Sequence, residues 1–150
     1  MTTKKKVYLA SFLAPMLIML VAWIIDGFFP FGAKSLMAVD FNAQYIGLYA
    51  YFKHLFLNGD WSSFFYSFSK SIGGGMLGIW GFNLLSPFNF LFLLFSEENF
   101  QWVVPVTIAL RYGTMGLTMT HFLVKRYDGL KNKAYLLPIV ATIYALNGFN

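Results

Sequence analysis

Hydrophobic positions are concentrated in three stretches of the chain, at residues 7–25, 100–124 and 134–150. The first has 19 residues without a charge, and as a helix of about 28 Å it is long enough to cross the hydrocarbon core of a bilayer. The second carries one charge, Arg111, and the third is barely long enough to cross. The pattern predicts an all-α integral membrane protein with two full transmembrane helices and an incomplete third.

Cations mark the ends of these stretches. Lys4, Lys5 and Lys6 precede the first, and residues 125–133 after the second hold four cations against a single acid, Asp128. Because basic loops stay in the cytoplasm, the N-terminus and residues 125–133 are predicted to be cytoplasmic. The segment 26–98 then becomes one large extracellular loop of a single, multi-pass region in the cell membrane.

The loop contains a predicted amphipathic helix at residues 40–58, lying flat at the membrane interface. One stripe is apolar and a second carries most of the polar groups. The apolar stripe contains Phe41, Tyr45, Leu48, Phe52 and Leu55; the other contains Asp40, Gln44, Gly47, Tyr51, His54 and Asn58. The sequence Asn58-Gly59-Asp60 is typical of a helix end. Residues 87–95 are apolar but too short to cross, which indicates a re-entrant or interfacial piece.

Composition removes several classes of protein. Hydrophobic residues make up 58% of the chain and charged ones 11%, against about 25% charged in soluble domains. The net charge of +5 lies at the ends of apolar stretches, which argues against nucleic-acid binding. The chain has no cysteine, and its two histidines, His54 and His121, are too few for a zinc site. The first stretch exceeds the about 7–15 residues of a signal peptide core, so we interpret it as retained.

Asp40 is the leading candidate for chemistry. A carboxylate at the membrane surface could act as general base toward an acceptor hydroxyl, and Gln44 follows one helical turn later on the same face. The alternative is structural, because aspartate is a favoured residue at a helix N-terminus and Asp40 stands where such a cap belongs.

Two further features could contact a phosphate. Gly73, Gly74 and Gly75 would let backbone N–H groups approach one, although the stretch lacks the P-loop pattern and equally fits a turn or close helix packing. Arg111 could hold the phosphate of a lipid-linked substrate, or form a structural ion pair with a carboxylate of a further helix. The dense Phe and Tyr residues suit interfacial anchoring as well as sugar or polyprenyl contacts.

Four segments in a fixed order carry a resemblance to a known family. They are residues 35–45 (SLMAVDFNAQY), 58–61 (NGDW), 71–75 (SIGGG) and 85–89 (LSPFN). In this order they resemble the N-terminal part of the bacterial YfhO membrane proteins, and the resemblance runs across nearly the whole chain. Its most specific parts are Asp40-x-x-x-Gln44-Tyr45 and the glycine stretch that leads into Ser-Pro-Phe-Asn.

The resemblance implies a polytopic glycosyltransferase of the GT-C class. Such enzymes take a sugar from a polyprenyl phosphate on the outer face, here for a cell-envelope polymer such as lipoteichoic acid. They carry an essential acid in the first outer loop, which Asp40 matches, with Gln44 as its orienting partner. The resemblance also places Tyr45 and the glycines 73–75 at the substrate. Family members are much longer, so we expect these 150 residues to be a fragment without activity alone.

Other functions remain open at this point. A transporter or flippase for lipid-linked substrates would also explain Arg111, the interfacial helix and the glycines, and an assembly partner without chemistry is a third possibility. Membrane lipid is the expected surrounding in each case. No cofactor is predicted, although a single acid such as Asp40 could join a divalent metal site completed elsewhere in a longer chain.

Overall fold

The computed structural model describes residues 3–38, 41–68, 72–127, 129 and 134–147, and their backbone is mostly helical. The chain divides into two compact units. The terminal unit consists of Met1–Lys34 and Ile108–Asn150, and the middle unit consists of Ser35–Thr107.

The terminal unit begins with helix α1 (Thr3–Asp26), which covers the first predicted span. Its stretch Lys4–Asp26 is long and apolar enough to cross a membrane, with a mean hydropathy of 2.2 over 18 residues. The helix stops because Gly27 adopts a left-handed backbone, with φ of 71°. This turn lets the Phe28 N–H donate to the Trp23 carbonyl at 2.8 Å, which satisfies one of the last carbonyls of the helix.

Helix α4 (Phe100–Arg126) places two glycines against α1 in the terminal unit. Gly116 lies against the Ser11 carbonyl oxygen. This carbonyl would normally accept the N–H four residues later, but that residue is Pro15, which has no N–H. Gly113 lies against the side chains of Met16 and Phe12. Small residues thus let the two helix backbones approach closely, as is common between helices in membranes.

Helix α5 (Leu136–Ala145) completes the terminal unit by packing against α1. It buries Leu137, Ala141 and Ala145, which recur at the spacing of one helical face. Its ten residues fall within the predicted third stretch, 134–150, and make it a short apolar helix.

The middle unit is built from short elements. They are a π-helix (Phe41–Tyr45) continuing into α2 (Ile46–Asn58), a 3₁₀-helix (Trp61–Phe64), strands β1 (Tyr66–Ser67) and β2 (Gly74–Gly75), helix α3 (Leu77–Ile79) continuing as a π-helix (Trp80–Leu84), two 3₁₀-helices (Pro87–Leu94 and Glu97–Asn99) and the start of α4. The two strands are antiparallel, with Tyr66 opposite Gly75 and Ser67 opposite Gly74.

The predicted helix at 40–58 is confirmed in its main part and at its end. Gly59 has a left-handed backbone with φ of 67° and terminates α2. Of the predicted apolar stripe, Phe52 and Leu55 are buried. Tyr49, which belonged to neither predicted stripe, is also buried, because its ring stacks on Phe92 with 4.1 Å between ring centroids. The helix therefore turns a slightly different face to the core than its periodicity indicates.

Aromatic rings fill the core of the middle unit. Trp80 is 1% exposed and stacks on Phe64 with 4.6 Å between centroids. The Trp80 indole N–H donates to the Phe64 carbonyl at 2.7 Å, so its one polar atom is satisfied. Phe92 bridges Tyr49 to Phe100 at the start of α4, with 4.9 Å between the last two ring centroids.

The segment from Leu77 to Leu94, called here the bent segment, has two helical arms. The arms Leu77–Leu84 and Pro87–Leu94 meet at 88°. Pro87 opens the second arm, where its missing N–H costs no helical hydrogen bond. The piece predicted at 87–95 as re-entrant or interfacial corresponds to this second arm, and its place in the membrane stays a prediction.

Among the described residues, α1 is the one single helix with the length and composition of a membrane span, and the bent segment would count as a second if it crossed. Helix α4 is long enough but does not qualify, because Arg111 and several threonines lower its hydropathy. The second full span and the extracellular position of residues 26–98 therefore stay predictions.

Candidate functional site

A cavity of about 240 Å³ lies in the middle unit and is bounded on one side by a single helical face. Gln44 is at the end of the π-helix, and Gly47, Leu48 and Tyr51 follow in α2. Gln44, Gly47 and Tyr51 belong to the second, more polar stripe predicted from the sequence, so part of that stripe lines a cavity.

Gly47 leaves this wall open. It has no side chain, and a Cβ built at this position would meet nothing within 4 Å. Space therefore lies beside the helix between Gln44 and Tyr51, which stand one turn before and one turn after the glycine. Because Gly47 lines the cavity and an added Cβ meets no other atom, the position is useful for testing the site.

The opposite wall comes from the strand pair and α3. Ser67 of β1, together with Met76 and Ile79, lines the cavity. Ser67 is 4% exposed, and the Met76 N–H donates to the Phe65 carbonyl at 2.8 Å, which extends the pairing of the two strands. This wall brings residues more than 20 positions from Gln44 in the sequence to the same cavity.

The predicted glycine stretch forms part of this strand pair. Gly74 and Gly75 are strand β2. Gly73 has a left-handed backbone with φ of 101°, and a Cβ there would lie 2.5 Å from the Tyr66 hydroxyl oxygen. Both facts require glycine at position 73, which agrees with the turn alternative. A phosphate contact by residues 73–75 stays a prediction.

Tyr51 is held in place by the turn that follows α2. Its hydroxyl donates to the Ser63 carbonyl oxygen, so the hydroxyl of this cavity-lining tyrosine is engaged with the backbone. The residues that carry Ser63 are in turn bound by Asp60: the Ser62 and Ser63 hydroxyls donate to its two carboxylate oxygens, at 2.5 and 2.7 Å. These two hydrogen bonds, that from Ser62 first, lower the pKa of Asp60 below its ordinary value.

The remaining predicted site residues have different outcomes. The half-buried Tyr45 stacks on Phe82 of the bent segment, with 6.5 Å between ring centroids, and does not line the cavity. Arg111 is half-buried on the part of α4 that belongs to the terminal unit. Asp40 lies outside the described residues, four positions before Gln44. The roles of all three at a substrate stay predictions.

Sequence reasoning missed two parts of the site. Ser67 and Met76 gave no signal, because their place depends on a strand pair only two residues long on each side. Asp60 had a local signal, an acid followed at the second and third positions by serines, the spacing of side-chain capping at a turn. In the described part of the chain, no three His, Asp or Glu side chains group closely enough to hold a metal ion.

A long apolar helix together with a bent, charge-free aromatic segment is typical of an integral membrane protein. The comparison with protein families agrees: residues 11–150 match the family described as bacterial membrane protein YfhO. The match covers nearly the whole chain, and the protein belongs to the YfhO family of bacterial membrane proteins. The resemblance found in the sequence is thereby confirmed. No curated protein and no solved structure matches the chain.

Proposed function

We propose that the protein is a membrane glycosyltransferase of the GT-C type that uses a polyprenyl-phosphate-linked sugar at the outer face of the membrane. Its acceptor is a cell-envelope polymer, with lipoteichoic acid as the favoured example. Membership of the YfhO family supports the membrane setting. The proposal for a site rests on a single observation, the cavity that Gln44 lines.

The lining of the cavity suits a small polar ligand. Its volume of about 240 Å³ is below the roughly 300–1,000 Å³ of pockets for drug-sized molecules, which favours a group the size of one sugar ring. Gln44 offers both an amide donor and a carbonyl acceptor, and Ser67 has a hydroxyl, whereas Leu48 and Ile79 provide apolar surface. Polar groups for hydroxyls beside apolar walls for ring C–H groups are what sugar recognition needs.

The proposed reaction forms one bond and breaks one. The acceptor hydroxyl oxygen attacks the anomeric carbon of the donor sugar, and the bond from that carbon to the phosphate oxygen breaks. The proton of the hydroxyl passes to the Asp40 carboxylate, and the electron pair of the broken bond leaves with the polyprenyl phosphate. Gln44 orients the sugar or the acceptor, and Arg111 or another cation stabilises the leaving phosphate.

The primary test replaces the general base. Asp40→Asn and Gln44→Ala are introduced at the chromosomal locus, with Asp26→Asn and Gln101→Ala as matched controls at exposed positions. We expect Asp40→Asn to lower the sugar content of the envelope polymer by about 100-fold or more, as loss of a general base does. Gln44→Ala should lower it less, and the controls should not change it. Normal glycosylation with Asp40→Asn, at normal protein abundance in the membrane, would remove Asp40 from the proposal.

A second test fills the cavity. Gly47→Leu adds a side chain to the cavity lining, and Gly78→Leu adds the same side chain outside the lining; at both positions the new Cβ meets nothing within 4 Å. We expect transfer to fall roughly tenfold or more for Gly47→Leu, since displacing a substrate by about 1 Å can cost up to about 100-fold, and to stay normal for Gly78→Leu.

Product analysis separates the transferase from a transporter. Membrane vesicles containing the protein are given a polyprenyl-phosphate sugar, and free polyprenyl phosphate is measured. A transferase releases it in step with glycosylation of the acceptor. Movement of intact donor across the bilayer without release would instead indicate a flippase.

A further inference from the structure

The bent segment lies within the longest charge-free part of the middle unit. No charged residue occurs from Ser71 to Ser96, a run of 26 positions. A solvated surface segment of this length would ordinarily carry several charges, since about a quarter of the residues in soluble domains are charged. The run is nevertheless not a continuous helix, because Pro87 begins a second arm at 88° to the first.

The bent segment has one face packed in the unit and one face without cover. Trp80, Leu84, Asn89 and Phe92 are each at most 1% exposed. Large apolar side chains on the other side remain open, on both arms and at the elbow between them. Their exposed fractions are 61% for Leu77, 75% for Phe82, 63% for Leu85, 48% for Phe90 and 74% for Leu94. Five large apolar side chains exposed within 18 residues, with no charged residue among them, need an apolar partner.

At the elbow, residues 85–86 between the two arms, nearby backbone carbonyls accept hydrogen bonds from a side chain of the segment itself. The last carbonyls of a helix have no partner in the helix itself, and at the end of the first arm these include Asn83 and Leu84. The side-chain amide of Asn89 donates to both carbonyl oxygens, at 2.7 and 3.1 Å. Asn89 is fully buried, with 0% exposure. In water these carbonyls could bind solvent, whereas in hydrocarbon they need a protein donor, which Asn89 supplies.

The dimensions of the arms distinguish entry into the membrane from crossing. Eight residues of helix span about 12 Å and eight residues of 3₁₀-helix about 16 Å. At 88° to each other, the arms reach roughly 20 Å from end to end, short of the about 30 Å of a hydrocarbon core. The segment is therefore too short to cross but long enough to enter one leaflet.

We propose that the bent segment is a re-entrant element that inserts into a single leaflet, with lipid acyl chains as the partner of its exposed apolar face. Leu85 at the elbow lies deepest, and both ends of the segment emerge on the same side of the membrane. Ile79 belongs to the first arm and also lines the cavity of the candidate site, so the cavity lies beside the inserted arm. The inference rests on the segment's own geometry and holds whether or not the protein transfers a sugar.

The chain is well suited to a test with single cysteines, because it contains none of its own. Leu85→Cys probes the elbow, and Ile72→Cys and Ser96→Cys probe exposed positions flanking the segment. Each variant is placed in the whole protein in intact cells and treated with a membrane-impermeant maleimide. We expect positions 72 and 96 to react from the same side, and position 85 to react at least about tenfold more slowly, since hydrocarbon disfavours the reactive thiolate.

A second measurement excludes cover by another protein. The purified Leu85→Cys variant carries an environment-sensitive fluorophore and is reconstituted in vesicles of brominated phosphatidylcholine. Quenching by bromine on the acyl chains, stronger than for the Ile72→Cys variant, supports the proposal. Three outcomes would overturn it: fast maleimide reaction at position 85, reaction of positions 72 and 96 from opposite sides, or slow reaction at position 85 without quenching.

Discussion

The terminal unit and the middle unit are each stabilised internally by a different kind of contact. In the terminal unit, Gly113 and Gly116 of α4 bring one helix backbone against another at α1. In the middle unit, stacked rings such as Phe64 on Trp80 and Tyr49 on Phe92 fill the space between short, irregular elements. Close backbone packing suits long regular helices, whereas large rings can fill the uneven gaps between short ones.

The difference also appears in how each unit satisfies its backbone. In helix α1 the regular hydrogen bonding is broken at Pro15, which has no N–H to donate, and the freed Ser11 carbonyl faces Gly116. The middle unit has many helix ends, and there side chains take over the hydrogen bonding: Asn89, Tyr51 and the Trp80 indole all donate to main-chain carbonyls. Side-chain polar groups should therefore matter most in the middle unit, and steric fit most in the terminal unit.

The largest effect should come from Asn89, on which two carbonyls of the middle unit depend. Asn89→Leu keeps the number and branching of the side-chain heavy atoms but removes both donations, which leaves one buried and one partly buried acceptor without this donor. We expect the free energy of unfolding to fall by about 2–4 kcal/mol, since one buried acceptor left unsatisfied costs about 1–3 kcal/mol and the partly buried one costs less. Thermal unfolding in detergent measures this. The exposed Asn99→Leu is the control and should cost less than about 0.5 kcal/mol. An equal effect of both would contradict the importance of side-chain donors in this unit.

In the terminal unit, steric fit is tested by two alanines on the same helix face. A Cβ at Gly116 meets the Ser11 backbone oxygen, which cannot move without displacing α1. A Cβ at Gly113 would lie 2.7 Å from the Met16 sulfur, the flexible part of a side chain that can adjust. We expect Gly116→Ala to cost about 1–3 kcal/mol and Gly113→Ala clearly less. If the two variants unfold at the same temperature, the backbone contact does not hold the helices together.

Sequence reasoning predicted the regular parts of this fold and missed the irregular ones. The uninterrupted apolar run predicted α1, and Asn58-Gly59-Asp60 predicted the end of α2, because both signals are local. The rotation of α2 that buries Tyr49 depends on Phe92, more than 40 residues later in the chain. The periodicity of α2 alone contains no information about such a distant contact. The right-angled bend was predicted only as a short apolar piece at 87–95, since its first arm carries two glycines and no charge.

The candidate site also has one part that the sequence predicted and one part that it did not. Gln44, Gly47 and Tyr51 follow one helical face, so their common position was predictable from spacing. Ser67 and Met76 line the cavity because of a strand pair with two residues on each side, which the hydrophobic pattern of the sequence did not predict. The importance of Gly73 was visible as glycine content, but its cause, a left-handed backbone against the Tyr66 ring, belongs to the folded chain.

A smaller effect is expected at Tyr51, which links the cavity wall to the turn at residues 61–64. Tyr51→Phe removes the hydroxyl that donates to the Ser63 carbonyl and keeps the ring. We expect a loss of about 0.5–1.5 kcal/mol in the free energy of unfolding, the usual range for one hydrogen bond. Tyr66→Phe, at a 48% exposed tyrosine of the same unit, is the control and should change it by less than about 0.5 kcal/mol. A larger loss for the control would place the supporting contact elsewhere.

The smallest effect should be the acid dependence of Asp60, the residue that binds the same turn. Donation from Ser62 and Ser63 favours the charged carboxylate, so its pKa in the folded protein lies below the ordinary value of 3.8. A lowered pKa means that the stabilisation is fully present above the ordinary value and is lost as pH falls through the folded one. The wild type should therefore be more stable than Asp60→Asn at pH 7, and the difference should shrink as pH falls below 3.8 and through the lowered pKa of the folded protein. Because Asp60 is only half-buried and solvent screens its charge, the difference should be smaller than that for Tyr51→Phe. Chemical unfolding of the two proteins across this pH range measures the difference in stability, with Glu98→Gln, an exposed acid, as control.

A difference in stability that grew toward low pH would mean that the serines favour the protonated carboxyl of Asp60. The turn would then be held by Tyr51 and the backbone alone.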